Sequence, residues 1–298
     1  MFFRRYCSDK IMNLLLKFFA WLPLSVLRYI ALFIAFFLYY FPSSMKRISH
    51  TNLKLVYPHL PAQALHHLLR DTLKSQCLTY IESIKCWGMP ASYSLNLIES
   101  IQGEHYLTDA IAQKKGVIIV VAHLGCWELL NAWLNVHAAP MIMYKPNKNN
   151  AVNRFILEAR ERFNAVLVPT NMHGVRDIIR HLRQGGLTVI LPDHLPKASG
   201  GIEASFFGHQ VLSTTLLSKL AGRTQCAVLS ASCLRNSSSQ FNVVCQPLSS
   251  EISSTDLQVS VDYLNASIEK MINISPSQYI WSYKRFRRMQ GMLNIYSI

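Results

Sequence analysis

The sequence predicts an α/β fold, a mixed and largely parallel sheet flanked by helices, with an amino-terminal hydrophobic membrane anchor. Two patterns support this prediction. Short runs rich in β-branched residues alternate with segments of helical spacing, which is typical of buried strands joined by crossover helices. One long apolar segment precedes them. We therefore divide the 298 residues into an anchor, residues 1–45, and a main domain, residues 46–298.

The apolar segment at residues 18–41 contains one formally charged side chain, Arg28. A continuous helix of that length would reach about 36 Å and exceed a bilayer core of roughly 30 Å. Pro23 divides the segment into two pieces that are each too short to span. A spanning helix, an interfacial or re-entrant anchor, a cleaved signal peptide and a buried helix pair all remain open. No convincing small-x-small cleavage site follows Leu27 or Phe37, which disfavours a signal peptide. Four aromatic residues resemble an interface belt and favour an anchor over the buried pair: Trp21, Tyr29, Tyr39 and Tyr40.

Charge and composition narrow the class of partner. Lys and Arg number 30 against 16 Asp and Glu, so the formal net charge is +14 and an anionic partner is expected. Half of the residues are apolar and only 15% are charged, which favours an acidic membrane face over nucleic acid. The seven cysteines show no metal-ligand or CxxC spacing. We therefore predict no disulfide framework, no metal site and no cofactor, in a domain that faces a reducing compartment.

The main domain begins with a long helix, predicted over residues 63–87. Buried strands are predicted at residues 117–122, 141–144, 165–168, 187–191 and 227–233. Helices are predicted at residues 129–136, 152–162, 174–183, 212–221 and 256–271. Residues 237–239 form a polar turn between two strand-like runs, and a basic and aromatic segment at residues 279–288 follows the last helix.

His123 follows the strand at residues 117–122 directly, and Glu128 lies five residues later. Ligands bind beyond the carboxyl ends of strands in open α/β sheets, so chemistry is expected here. On a continuous helix the two side chains would point about 140° apart, but Gly125 permits a break that lets Glu128 reach the imidazole ring. A carboxylate on one ring nitrogen leaves the other nitrogen to take a proton from a hydroxyl. A capping histidine followed by a solvated glutamate fits the same spacing.

Two other residues lie beside this motif. Asp193 follows the strand at residues 187–191 on the same sheet edge as His123, where it can orient an arginine or the acceptor, although an aspartate after a proline is also a common turn residue. Cys126 invites a thiol mechanism, but we find no separate residue to orient a Cys–His pair.

The motif from His123 to Glu128 resembles the His-x4-Asp/Glu motif of lysophospholipid-type, or glycerolipid, acyltransferases. Its Glu form resembles the lipid A acyltransferases that add secondary lauroyl or myristoyl chains. Further blocks follow that family's order over nearly the whole chain: Tyr144-Lys-Pro-Asn147, Arg160-Glu-Arg162, Leu191-Pro-Asp193, Ser205-Phe-Phe-Gly208 and residues 278–286. Two blocks depart from it. Many relatives carry another acid where this chain has Leu195, and a Thr-rich block is reduced to Ser213-Thr-Thr-Leu216, which leaves acyl-chain length and acceptor identity open.

The resemblance implies an enzyme of the bacterial inner membrane whose catalytic domain faces the cytoplasm. It would transfer a fatty acyl chain from a thioester of acyl carrier protein or coenzyme A to a hydroxyl of a phosphorylated glycolipid, a lipid A precursor. His123 would be the general base, Glu128 its partner, and Arg160 a catalytic or phosphate contact. The predicted substrate-binding residues are Asp193, Lys145, Asn147, Arg162, Phe206, Phe207, Lys284 and Arg285.

Several of these assignments leave alternatives. Arg162 is the other match for the family's arginine, and Phe206 and Phe207 either wall an acyl pocket or belong to the core. Lys284 and Arg285 lie among aromatic residues and suit either RNA or a phosphorylated glycolipid at a membrane, of which the apolar composition favours the glycolipid. Another glycolipid or lysophospholipid acceptor, and a non-enzymatic basic membrane-binding protein, are the alternative functions. The motif glutamate and the Trp-x-Tyr-Lys-Arg-Phe block favour lipid A.

Overall fold

The computed structural model describes residues 2–289 and 295–296, with side chains from Lys10 onward. Met1 and residues 290–294 and 297–298, which the predicted domain limits include, lie outside this range. Four helices come first: α1 (Phe2–Trp21), α2 (Leu24–Tyr40), α3 (Ser44–Val56) and α4 (Ala62–Gly88). The long helix predicted over residues 63–87 is confirmed as α4.

The first two helices meet at a bend of 112°. Pro23 is the N-cap of α2, and its missing N–H explains why α1 does not continue through it. The predicted break at Pro23 is therefore confirmed. Among the described residues, no helix taken alone has both the length and the apolar character needed to cross a membrane, and only this bent pair meets the test as a unit.

Helix α4 holds both amino-terminal helices against the rest of the molecule. Lys85 Nζ donates to the carbonyl oxygens of Ala20 at 2.6 Å and Leu22 at 2.9 Å, at the carboxyl end of α1. Glu82, also on α4, is buried and accepts from Arg28 of α2 at 3.1 Å and from Arg235 Nε at 2.8 Å. A buried carboxylate requires such cationic partners, so Glu82 links α2, α4 and the sheet.

The strands, in chain order, are β1 (Ile98–Gln102), β2 (Val117–Val120), β3 (Pro140–Tyr144), β4 (Val166–Pro169), β5 (Leu187–Ile190), β6 (Gly201–Phe206), β7 (His209–Thr214), β8 (Ala227–Arg235) and β9 (Phe241–Pro247). Seven of them form one sheet in the order β1-β9-β8-β2-β5-β3-β4, and all neighbours in it are parallel except β8 and β9. Strands β6 and β7 form a separate antiparallel hairpin.

Helices cover both faces of the large sheet. They are α5 (Ala91–Leu95), α6 (Glu104–Ala112), α7 (Leu130–His137), α8 (Asn150–Arg162), α9 (Met172–Arg183), α10 (Leu216–Thr224) and α11 (Leu257–Ile274). Successive residues of β2 alternate between two cores, with Ile118 and Val120 in one and Val117 and Ile119 in the other. The predicted mixed, largely parallel sheet flanked by helices is confirmed.

One predicted element is wrong in part. Residues 212–221 were expected to be helical, but residues 212–214 belong to β7 and the helix begins at Leu216. The extended conformation is stabilised by pairing with β6, in which Leu212 lies opposite Glu203, and by a turn at Gly208 with a φ of +75°. The β-branched Thr214 also favours a strand.

Gly125 and Gly208 both have a positive φ, and together they allow a matched test of how closely the backbone packs at the Gly125 turn. Gly125 has a φ of +60°, and a Cβ there would lie 2.1 Å from the carbonyl oxygen of Cys233, whereas a Cβ at Gly208 would meet nothing within 4 Å. We expect Gly208→Ala to cost only the backbone strain of about 1–2 kcal/mol. Gly125→Ala adds a clash with rigid backbone and should lower the melting temperature markedly further. Equal losses in thermal melts would contradict this account of the Gly125 turn.

Candidate active site

The register of two neighbouring parallel strands builds the site. Val120 of β2 pairs with Ile190 of β5, and His123 and Asp193 each follow three residues later. The side chains therefore meet at the carboxyl edge of the sheet. His123 Nδ1 lies 2.8 Å from Asp193 Oδ1, and the backbone N–H of His123 donates to Asp193 Oδ2 at 2.9 Å. With a proton on Nδ1 bound to Asp193, Nε2 of the neutral ring is free to accept a proton.

The predicted hydrogen bond between Glu128 and His123 is not formed. Glu128 lies in a short 3-10 helix, Trp127–Leu129, and both of its carboxylate oxygens accept from Nη2 of Arg160, at 2.7 and 3.0 Å. The preceding turn explains this direction, because Gly125 and Cys126 donate their N–H groups to Gln278 and Cys233 and hold the loop beside β8. The carboxylate that contacts the imidazole is Asp193, which the sequence analysis assigned to an arginine or the acceptor.

Burial and charge shape the proton affinities of the pair. Burial alone lowers the pKa of His123, but the charge of Asp193, its hydrogen bond and the charge of Glu128 raise it above the usual value. Burial would raise the pKa of Asp193, but the charge of His123 and its hydrogen bonds hold that pKa far below the usual range. Asp193 is thus a carboxylate that stabilises a proton on His123, and Glu128 acts on the ring through its charge.

A stack of three rings forms one wall of the site. The ring of His194 lies between those of His123 and Tyr283, with centroid separations of 3.9 Å on each side and interplanar angles of 2° and 17°. Burial and the charge of His123 lower the pKa of His194 to about 4, so it stays neutral near pH 7. Tyr283 also accepts at its hydroxyl from the N–H of Leu195 at 3.0 Å. This wall was not predicted from the sequence, although the residues after Asp193 depart from the family pattern at this place.

The predicted substrate-binding residues Arg285, Lys284, Phe206 and Phe207 differ in how deeply they are buried. Arg285 is buried and donates to the carbonyl oxygen of Leu212 and the hydroxyl of Ser213, both at 2.8 Å, with its guanidinium over the Phe206 ring. Arg285, predicted to bind substrate, therefore makes internal contacts. Lys284 is half-buried, 5.7 Å from the centre of the Tyr296 ring. Phe206 belongs to the core, and the half-buried Phe207 packs against it.

The other predicted residues lie outside the His123–Asp193 contact. Lys145 and Asn147 are exposed on the loop after β3, where Asn153 accepts from the N–H of Asn147 at 2.8 Å. Arg162 is exposed and donates to the carbonyl oxygen of Trp87, so Arg160 is the arginine that faces the motif.

Two further chemistries find no support in the geometry. Cys126 is buried 3.9 Å from the Sγ atom of Cys86, and the hydrogen bond with Cys86 and burial raise its pKa well above the usual value, which opposes a thiolate. Among the side chains that the structure describes, from Lys10 to Met289 and at residues 295–296, no three of His, Cys, Asp or Glu are grouped to hold a metal ion.

Comparison with known proteins decides the family. The family model described as bacterial lipid A biosynthesis acyltransferase matches residues 3–288. The chain belongs to this family. Among its relatives, the lipid A biosynthesis palmitoleoyltransferase of Escherichia coli (strain K12) is 27% identical over 255 residues, which cover 84% of this chain and 81% of the relative.

Two more relatives have similar coverage. The lipid A biosynthesis lauroyltransferase of the same strain is 23% identical, over 84% of this chain and 82% of its own length. A lipid A biosynthesis acyltransferase of Haemophilus influenzae is 26% identical, over 80% of this chain and 76% of its own length. As a member of this family, the chain is an acyltransferase.

The contact between His123 and Asp193 predicts a pH dependence. With His123 acting as a base, kcat/KM should fall as the pH drops through the pKa of His123, which lies above 6.5 because Asp193 raises it. Asp193→Asn should move this acidic limb to lower pH and reduce kcat/KM by about 10²–10⁴-fold, since the imidazolium loses its counter-charge. Asp109→Asn, at an exposed position on α6, is the control. An unmoved limb in Asp193→Asn would contradict the pairing.

Proposed function

We propose that this protein transfers a fatty acyl chain from an acyl thioester to a hydroxyl of a lipid A precursor, with His123 as general base. The observation that carries the proposal is the His123–Asp193 contact at the ends of two paired strands, in a chain of the lipid A acyltransferase family. A positioned imidazole with a buried carboxylate on Nδ1 suits proton removal from a hydroxyl at Nε2.

The proposed reaction has two steps. Nε2 of His123 takes the proton of the acceptor hydroxyl as its oxygen attacks the thioester carbonyl carbon. The resulting imidazolium is stabilised by Asp193, and the tetrahedral intermediate then collapses with cleavage of the carbon–sulfur bond. The imidazolium returns its proton to the departing sulfur, so the products are an ester and a free thiol.

Arg160 and Glu128 have a proposed electrostatic role. Both bonds from Arg160 to Glu128 use Nη2, and within the described part of the chain Nε and Nη1 have no protein acceptor. The guanidinium is largely buried beside a loop whose glutamate influences the His123 ring. We assign Arg160 to an anionic group of the substrate or to the developing oxyanion, and Glu128 to holding Arg160 in place. Lys145, Asn147 and Lys284 remain candidates for contacts with the rest of the acceptor.

We assign acyl carrier protein as the donor, with coenzyme A as the alternative. Three arginines lie at i, i+4 and i+7 on α9, and all are exposed: Arg176, Arg180 and Arg183. An acidic carrier would be steered towards such a face. Arg180 also forms an ion pair of 3.5 Å with Asp177, as an ordinary solvated helix face would. A direct comparison of the two donors decides between them.

We also assign residues 1–45 to attachment at the bacterial inner membrane, with the catalytic domain facing the cytoplasm. Many large apolar side chains of the first two helices are exposed, and Leu14, Trp21, Tyr29 and Phe33 are each at least 65% exposed. Such a surface suits burial in lipid. Flotation of the full chain with vesicles of neutral lipid tests this attachment, and recovery of the chain in the unbound fraction would contradict it.

The central experiment is turnover of full-length protein with a lipid A precursor and either carrier-linked or coenzyme A-linked acyl chains, with products identified by mass spectrometry. His123→Ala should lose about 10²–10⁴-fold in rate because it removes proton transfer. His137→Ala is the matched control, since His137 also pairs with a carboxylate, Glu104, at 3.0 Å but lies outside the site.

Thermal melts of both variants exclude unfolding as the cause of any loss. Near-normal turnover in His123→Ala would contradict the assignment of the base. Transfer to a lysophospholipid or to another glycolipid, but not to the lipid A precursor, would support the alternative acceptors.

A further inference from the structure

A cavity of about 650 Å³ lies where the end of α2, the start of α3 and the first turns of α4 meet. Four of the side chains that line it are basic: Lys46, Arg47, His50 and His66. None of the described residues that line it is acidic. A concave site with a single sign of charge attracts a ligand of the opposite sign.

The basic groups that line the cavity lie close enough to repel one another when charged. The rings of His50 and His66 stack with centroids 6.1 Å apart. Burial and the nearby charges of His66, Lys54 and Lys46 together lower the pKa of His50. Lys46 donates to the carbonyl oxygen of Tyr39, a neutral acceptor that leaves the ammonium charge in place. Repulsion among these groups would be relieved by a bound anion.

An apolar groove continues from the cavity along α2. Its volume is about 380 Å³, and it shares Pro42 and Ser43 with the cavity. Three aromatic side chains line it, Phe33, Phe37 and Phe41, and their exposed fractions are 65%, 42% and 57%. A cationic recess that adjoins an exposed apolar groove matches an amphiphile with an anionic head and a hydrocarbon chain.

We propose that the cavity binds the phosphate headgroup of an anionic bilayer phospholipid, whose acyl chain lies in the groove along α2. The cavity shares no lining residue with the contacts of His123, Asp193 and Arg160, so its occupant is a structural lipid and not the reacting acceptor. Binding would hold the junction of α2 and α3 at the headgroup layer. The site also gives a local function to part of the excess positive charge.

A carboxylate introduced into the cavity, with a neighbouring control, tests the proposal. His66 and His67 are both exposed on α4, but only His66 lines the cavity. Full-length protein is floated with vesicles of phosphatidylcholine alone and with vesicles that also contain phosphatidylglycerol. His66→Glu should weaken the phosphatidylglycerol-dependent binding about fivefold or more, and His67→Glu less than about twofold. Neither variant should change binding to phosphatidylcholine alone.

A second measurement detects the bound lipid directly and does not depend on turnover. Native mass spectrometry of the wild-type protein released from mixed-lipid nanodiscs should show retained phosphatidylglycerol, which His66→Glu loses and His67→Glu and His123→Ala keep. Equal weakening by His66→Glu and His67→Glu would overturn the proposal in favour of general surface charge. A raised KM for the glycolipid acceptor in phosphatidylcholine, found in His66→Glu alone, would overturn it by assigning the cavity to substrate phosphate.

Discussion

The buried carboxylate of Asp193 is the interaction on which the site depends. Its side chain has no exposed surface, and its two oxygens are bound by the ring and the backbone N–H of His123. An unpaired carboxylate in this position would cost several kcal/mol, so the loops that follow β2 and β5 are held in one relative arrangement. The same contact fixes the imidazole orientation, and the stacked rings of His194 and Tyr283 support it from the side.

Other buried ion pairs extend this arrangement outward. Glu128 and Arg160 join the loop after β2 to α8, and Glu82 joins α4 to Arg28 and Arg235. Each of these carboxylates is almost completely buried and has an arginine partner, as the energetics of charge burial require. Pairs of this kind connect the amino-terminal helices, the sheet and the active-site loop in one continuous structure.

Local patterns were sufficient to predict the α/β class, the long helix α4 and the break at Pro23. They could not identify the partner of His123, because that contact depends on β2 and β5 being neighbours in the sheet. The direction of Glu128 depends on Gly125 and on a hydrogen bond to Cys233, which is distant in the sequence. Long-range contacts of this kind leave no periodic signal.

The errors in β7 and Arg285 have a common origin. Apolar residues at positions 212, 216 and 217 fit a helical spacing, but pairing with β6 holds Leu212 in a strand. The backbone of that strand and the Ser213 hydroxyl then bind Arg285, which draws this one basic residue inward while Arg287 and Arg288 stay exposed. An unrecognised hairpin therefore also concealed the role of an arginine.

The most direct test of this account is the identity of the carboxylate on His123. In protein labelled with ¹⁵N-histidine, the Nδ1–H signal of His123 should be shifted by its charged hydrogen bond. We predict that Asp193→Asn removes this shift and that Glu128→Gln, which leaves the Asp193 contact intact, retains it. Loss of the shift in Glu128→Gln and its survival in Asp193→Asn would contradict the account and restore Glu128 as the partner.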